Sequence, residues 1–286
     1  MGRLRENVLL SEYSTFRIGG IARYLIEVDN AEDLKKVIQK ALELNLQFIV
    51  IGGGSNILFS SKGYNGLVIV FKSNNTFSIN DNLIEVDASV SLNYLINKLN
   101  NYTGLEWAVG IPGTVAGAIN GNAGAFGGEM SELIKQVKVL EVKDNQIIEK
   151  NFSKEDCKFS YRNSIFKNNP NLIIASAILE LKKDNEENVK QKIKNNLSKR
   201  MSKQPKGFSI GSIFKNGEDF SAGELIEKAG LKGLQIGDAK ISDEHANFII
   251  NLGKATSDDV LELIKIIKKE VKEKFSIDLE EEIKIF

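Results

Sequence analysis

Apolar residues recur at Leu34, Val37, Ile38, Ala41 and Leu42, the three- and four-residue spacing that puts them on one face of a helix over 30–44. Short apolar runs at 24–28, Phe48–Ile51 and 67–71 flank it, so the first part of the chain reads strand, helix, strand, glycine loop, strand. Further on, 83–86, 137–142, 146–149 and 173–181 read as strands of a mainly antiparallel sheet, interrupted by a helical segment at 91–99 and a glycine-rich loop. Val189, Ile193 and Leu197 predict a helix across the charged segment Glu186–Lys203. The last part reads as a short helix at 222–229 closed by Gly230, a strand at 247–250 and a helix from Ser257 to about Lys274. There Thr256 is the expected N-cap, Asp258 and Asp259 occupy the first turn, and Val260, Ile264, Ile267 and Val271 form the apolar stripe.

These elements fall into three regions, 1–72, 73–200 and 201 onward, in a chain of 286 residues, long enough for two or three buried cores. The 38 basic and 38 acidic residues cancel, so no global field draws the chain to nucleic acid or an anionic membrane, and anion binding must be local. A single cysteine, Cys157, excludes an internal disulfide and a cysteine metal cluster; the lone His245 removes histidine-rich metal sites and argues against a Ser-His-Asp triad. Arg3, Arg5 and Glu6 are followed by no apolar run of signal-peptide length, Glu6 argues against myristoylation of Gly2, and the longest apolar stretch, 172–179, is far short of a membrane span. The expectation is a soluble protein of a reducing compartment, without membrane insertion.

Two glycine clusters carry the candidate chemistry. Phe48–Ile51 ends in Gly52, Gly53, Gly54, Ser55 and Asn56, and successive N–H groups in such a loop can form a nest for phosphate oxygens, with Ser55 and Asn56 adding side-chain hydrogen bonds. Eight of the 24 glycines lie between Gly104 and Gly128, in a stretch without charge between Glu106 and Glu129. Glycine at that density weakens regular structure unless the backbone must approach something closely, and two such loops suggest a dinucleotide's pyrophosphate. Neither loop has the spacing of a Rossmann or Walker fingerprint.

Tyr13 to Gly20, Gly52 to Leu58 and Gly110 to Glu129 are similar to successive motifs of the UDP-N-acetylenolpyruvoylglucosamine reductase family, flavoenzymes of peptidoglycan precursor synthesis. Tyr161-Arg162, Gly211-Ser212 with Phe214 to Asn216, His245 to Asn251 and Leu279 to Ile283 continue the resemblance in order along nearly the whole chain. The resemblance implies an α+β, vanillyl-alcohol-oxidase-like FAD-binding fold of two subdomains, 1–72 and 73–200 with 277–286, plus a C-terminal α+β substrate-binding domain at 201–276. The absence of a long insertion suggests the family's shorter subtype, which lacks a tyrosine-bearing loop.

The implied activity is cytoplasmic: NADPH reduces non-covalently bound FAD, and the flavin reduces UDP-N-acetylglucosamine enolpyruvate to UDP-N-acetylmuramate. Arg162 matches the family arginine that meets developing negative charge, Ser212 the serine that delivers a proton, and Glu282 the terminal glutamate that assists. The run Glu280 to Glu282 blurs the register, which Leu279 and Ile283 fix. The cofactor is expected on Gly52, Gly53, Gly54, Ser55 and Asn56, with Pro112, Gly113, Thr114, Gly117, Ala118, Asn122, Ala123 and Gly124 alongside, and Lys215 and Asn216 are expected on the substrate's diphosphate. The chain departs from the family at Gly217, where proline is usual, and at Lys284, where arginine is common. His245 is read as a satisfied structural histidine and Cys157 as a small packing residue. Two rivals stay open: another oxidoreductase on the same flavin fold, and a silent FAD- or UDP-sugar-binding protein.

Overall fold

Asn30 stops an extended segment and accepts a hydrogen bond from the Asp33 N–H at 2.8 Å, which starts the helix Ala31–Glu43 and caps its exposed donors. Leu34, Val37, Ile38 and Ala41 are its buried face, as the spacing predicts. In this computed structural model residues 2–72 and 75–286 are described; Met1, and Ser73 and Asn74 at the expected boundary of the first two regions, lie outside them. The chain forms two compact units. The first comprises the residues up to Arg5, Tyr24–Gly53 and Gly66–Arg200; the second comprises Glu6–Arg23, Gly54–Asn65 and Met201–Phe286.

In the first unit, Phe48–Ile51 pairs in parallel with Leu67 to Val70. Five further strands make an antiparallel sheet in the order Gln146–Ser153, Ile134–Lys143, Leu172–Glu180, Leu83–Asp87, Phe77–Asn80. Val137, Val139, Ala175, Ala177, Ile84 and Val86 contribute to the core. The glycine-rich segment is not only the loop that its composition predicts. It contains the helix Val115–Gly121, capped by the Thr114 hydroxyl, which accepts from the Gly117 N–H at 3.3 Å. Glycine and β-branched residues disfavour a helix here, but burial of Val115, Ala118 and Ile119 outweighs that propensity.

Two buried polar side chains hold this segment. Asn122 closes the helix in the left-handed conformation (φ 43°), accepts from the Ser131 N–H at 2.9 Å and donates to the Ser160 carbonyl at 3.1 Å. Arg200, near the end of the helix Glu186–Lys203, is buried and donates to the carbonyls of Val109 (2.8 Å) and Trp107 (3.1 Å), with its guanidinium over the Phe126 ring.

In the second unit, Thr256 and Asp259 form a reciprocal capping box at the head of the helix Ser257–Phe275. Val260, Ile264, Ile267 and Val271 pack in a core with Phe16, Leu58, Ile213, Phe214 and Leu279. A three-stranded antiparallel sheet joins Gln235–Ile236, Ala239–Ile241 and Ile249–Asn251. The expected return of 277–286 to the 73–200 region is corrected by strand pairing: Lys284–Ile285 runs parallel to Ile57–Leu58 in the second unit. A two-residue strand carries too weak a pattern to name its partner, which is decided by which edge has free backbone groups. No helix among the described residues is long and apolar enough to cross a membrane.

Replacing Asn122 with alanine strands the Ser131 N–H and the Ser160 carbonyl and puts a residue less tolerant of left-handed backbone than asparagine at φ 43°. A loss of about 2–4 kcal/mol in unfolding free energy is expected, read by urea denaturation with an unchanged slope.

Candidate active site

The expected site residues divide between the two units. In the first, the strand Phe48–Ile51 delivers Gly52 and Gly53 against the second glycine segment: a β-carbon on Gly52 would fall 2.6 Å from the Thr114 hydroxyl, and one on Gly53 3.3 Å from the Gly113 Cα. The backbones therefore lie side by side, with Thr114 and Gly117 engaged in the helix cap. Asn122 is fully buried, so its side chain fastens the loop from inside instead of facing a ligand.

Arg162 sits in a two-residue turn closed by reciprocal bonds between Ser160 and Asn163, each 3.1 Å. Its φ of 51° is unusual for a non-glycine residue, and such strain persists where the surroundings impose it. The guanidinium donates to the carbonyl of Gly124 at 2.5 Å and lies 4.9 Å from the centre of the Tyr161 ring. The expected arginine is thus anchored on the expected cofactor wall, Asn122 to Gly124.

In the second unit, Gly54 has φ 61°, and a β-carbon there would lie 1.9 Å from the Tyr13 carbonyl oxygen, so only glycine fits. Among the described residues, the N–H groups of Gly54, Ser55 and Asn56 donate to no protein acceptor, and the Ser55 hydroxyl has no hydrogen-bond partner. Successive unpaired donors on a partly buried loop suit an anionic phosphate group, so these residues fit the pyrophosphate of FAD.

Ser212 bridges to Phe248 at the start of an irregular strand, after Gly211 (φ 80°), whose missing β-carbon faces open space. The Ser212 hydroxyl has no protein partner among the described residues. Its neighbour Ile213 accepts from the Glu282 N–H at 2.8 Å, and Lys215 donates its N–H to Glu280 at 2.9 Å, so the C-terminal segment pairs along Ile213 to Lys215. Glu280 forms an ion pair with Lys215 (2.5 Å) and Glu281 one with Lys268 (2.9 Å), which separates Glu282 from its two neighbours by partner as well as by position. The expected diphosphate residues have protein partners: Lys215 has Glu280, and the Asn216 side-chain oxygen accepts from the Ala222 N–H at 2.9 Å.

Sequence reading missed Asn247, which the strand expected at 247–250 would have spent on sheet pairing. Its amide accepts from the Phe214 N–H (2.9 Å) and donates to the Phe214 carbonyl (2.8 Å), standing in for a strand beside Ser212. The signal was an asparagine inside the apolar run from Ala246 to Ile250. His245 accepts on Nδ1 from the Asn247 N–H at 3.2 Å, and burial lowers its pKa. Cys157 is buried, which pushes its thiol up to about 12.

A model of the UDP-N-acetylenolpyruvoylglucosamine reductase C-terminal domain matches residues 203–286, and an FAD binding domain model matches residues 22–149. UDP-N-acetylenolpyruvoylglucosamine reductase of Caldicellulosiruptor bescii is 42% identical over 279 residues, 96% of this chain and 88% of the relative. That of Caldanaerobacter subterraneus is 40% identical over 287 residues, covering 99% and 94%. The chain belongs to the UDP-N-acetylenolpyruvoylglucosamine reductase family.

The crystal structure of the Thermus caldophilus reductase aligns over 100% of both chains with a TM-score of 0.85 at 35% identity, in keeping with the expected α+β FAD-binding fold. As a member of this reductase family with an FAD-binding domain, the protein is an FAD-dependent oxidoreductase of peptidoglycan precursor synthesis.

Gly217, the departure from proline, donates its N–H to the Phe220 carbonyl at 3.1 Å, and a β-carbon there would lie 2.2 Å from the Phe220 ring. Gly217→Pro would lose the bond and clash with the ring, so a loss of about 2–4 kcal/mol in thermal or urea unfolding is expected.

For His245 the unfolded chain takes up a proton as pH falls through the ordinary value of 6.5, whereas the buried folded ring resists it. Stability contributed by His245 therefore declines on acidification. Urea midpoints at pH 7 and pH 5.5 should differ less in His245→Gln than in the parent protein.

Proposed function

We propose that the protein reduces the enolpyruvyl group of UDP-N-acetylglucosamine enolpyruvate to UDP-N-acetylmuramate, with NADPH as hydride donor and in the cytoplasm. The observation that carries this reading is the Ser212 hydroxyl, which has no protein partner among the described residues, beside open space at Gly211 and on backbone bonded to Glu282. Residues up to 200 would hold the cofactor and 201–276 the substrate.

Gly53, Gly54, Ser55 and Asn56 would bind the FAD pyrophosphate through backbone N–H groups, and Pro112 to Thr114 with Gly117 and Ala118 would line the cofactor. Bound FAD supplies the hydride chemistry, acceptance from NADPH and donation to C3 of the enolpyruvyl double bond. Negative charge then grows on C2 and its carboxylate. Arg162 presents a planar fork suited to that group, and a preorganised donor aimed at developing charge is worth about 3–4 kcal/mol. Ser212 gives its hydroxyl proton to C2, and Glu282 assists that transfer.

A hydroxyl that protonates a carbanion-like carbon has no task in oxidising an alcohol. Ser212 and Glu282 therefore favour this reading over another oxidoreductase on the same fold, and the presence of Arg162 as well disfavours a silent binding protein. Neither His245 nor Cys157 lies in a glycine loop, in keeping with non-covalent FAD.

Anaerobic spectroscopy separates the two half-reactions. NADPH should bleach the flavin band, and UDP-N-acetylglucosamine enolpyruvate should restore it. Ser212→Ala should bleach at the parent rate and recover about 100-fold more slowly or worse. Equal slowing of both phases would overturn the role given to Ser212, and bleaching without recovery in the parent would reject the substrate.

A further inference from the structure

Asparagine precedes glycine three times in this chain, at Asn65-Gly66, Asn120-Gly121 and Asn216-Gly217. In such a pair the backbone nitrogen of the glycine can attack the asparagine side-chain carbonyl, because no β-carbon crowds the approach. The five-membered ring that results needs a ψ that neither regular helix nor regular strand supplies. Asn65 and Gly66 lie in the strand Tyr64–Phe71, which has a neighbouring strand on each side in its sheet. Asn120 and Gly121 end the helix Val115–Gly121, where the Asn120 carbonyl accepts from the Ser164 hydroxyl at 2.7 Å. Both pairs are held in unreactive backbone.

Asn216 and Gly217 lie outside helix and strand, and Asn216 is exposed, as are Glu218 and Asp219 after it. The Asn216 side-chain oxygen accepts from the Ala222 N–H at 2.9 Å, a donor that polarises the amide carbon and steadies negative charge on that oxygen during attack. The Gly217 N–H donates to the Phe220 carbonyl at 3.1 Å, and opening that one bond in an exposed loop frees the nucleophile. Unlike proline, glycine at 217 keeps the nitrogen-bound proton whose removal starts the reaction.

We propose that Asn216 is a site of spontaneous deamidation and that the product weakens binding of the substrate's diphosphate. Base removes the Gly217 N–H proton, the nitrogen bonds to Asn216 Cγ, and the bond from Cγ to the side-chain nitrogen breaks to release ammonia. Water then opens the cyclic imide at Cγ to give aspartate, or at the backbone carbonyl carbon to give isoaspartate. The net change is water in and ammonia out, with no redox step. Both products carry a carboxylate beside Lys215, whose ammonium already pairs with Glu280. The weakening rests on the functional reading above, which expects Lys215 and Asn216 on the diphosphate; the deamidation itself does not.

Holoprotein is incubated in water enriched in heavy oxygen and digested, and the three asparagine-glycine peptides are followed by mass spectrometry. The Asn216 peptide should take up label about tenfold or more faster than those of Asn65 and Asn120, whereas the urea-unfolded chain should label all three at comparable rates. Comparable rates in the folded protein, or label at 216 only after unfolding, overturns the site. Calorimetry with UDP-N-acetylglucosamine then compares fresh holoprotein, fully labelled holoprotein and Asn216→Asp. The added charge should weaken binding about fivefold or more in the last two, and less at high salt. Unchanged affinity in the labelled protein overturns the weakening, and so does equal weakening in Asn216→Ala, which loses the amide without gaining a charge. The labelled protein carries no substitution, so a variant that fails to fold leaves its comparison with fresh protein intact. Fresh protein that binds no UDP-sugar would instead overturn the functional reading and leave the labelling result standing.

Discussion

The backbone pairing of the last seven residues is the interaction on which the second unit's share of the site depends. Glu280 and Glu282 bond to Lys215 and Ile213, while Lys284 and Phe286 bond to Asn56 and Leu58, and Ser60 returns a bond to Phe286. A strand directs its N–H and C=O groups alternately to its two sides, so one short segment can satisfy partners from distant parts of the chain. Here it ties the serine segment to the glycine loop. Ser212, Glu282 and Gly54 to Asn56 are fixed relative to one another by backbone groups, which are less free to move than long side chains.

Elsewhere the protein satisfies its buried polar groups with asparagine amides. Asn122 spans Ser131 and Ser160, Asn247 brackets Phe214, and Asn251 donates to the Phe16 carbonyl while accepting from Gly253 and Ala255. Each replaces a backbone partner where the chain leaves regular structure. Against that pairing, the N–H groups of Gly54 to Asn56 and the Ser212 hydroxyl, idle among the described residues, stand out. Leaving a buried polar group unpaired costs about 1–3 kcal/mol, and capacity left unused in a partly buried loop is capacity for a ligand.

Strain is placed in the same way. Arg162 adopts a left-handed conformation in a turn of two residues, and its guanidinium is anchored on the Gly124 carbonyl. Such a conformation costs about 1 kcal/mol or more for a side chain of this kind. The bonds between Ser160 and Asn163 and the internal fastening of Asn122 hold it.

Much of the fold was legible in the residues themselves. The helix Ala31–Glu43 announced itself through period and cap, as did Ser257–Phe275, and the antiparallel strands through short runs of β-branched residues. These signals are local, and local patterns survive into the fold when burial agrees with them. The glycine loops were legible because close backbone approach and special φ values admit few residue types, whereas Arg162, Ser212 and Glu282 were singled out only through the family resemblance. The helix Val115–Gly121 was not legible, since its propensity is poor and only burial of its apolar side chains supports it. Nor was the partner of Lys284–Ile285, or the interior role of Asn122, expected beside the cofactor, of Asn247, expected in a strand, or of Arg200, in a charged helix. The sequence by itself determined which segments could be regular and which residues could carry chemistry. Tertiary structure alone decided which distant backbone edges met and which polar groups were left without partners, because both depend on contacts between residues that are far apart along the chain.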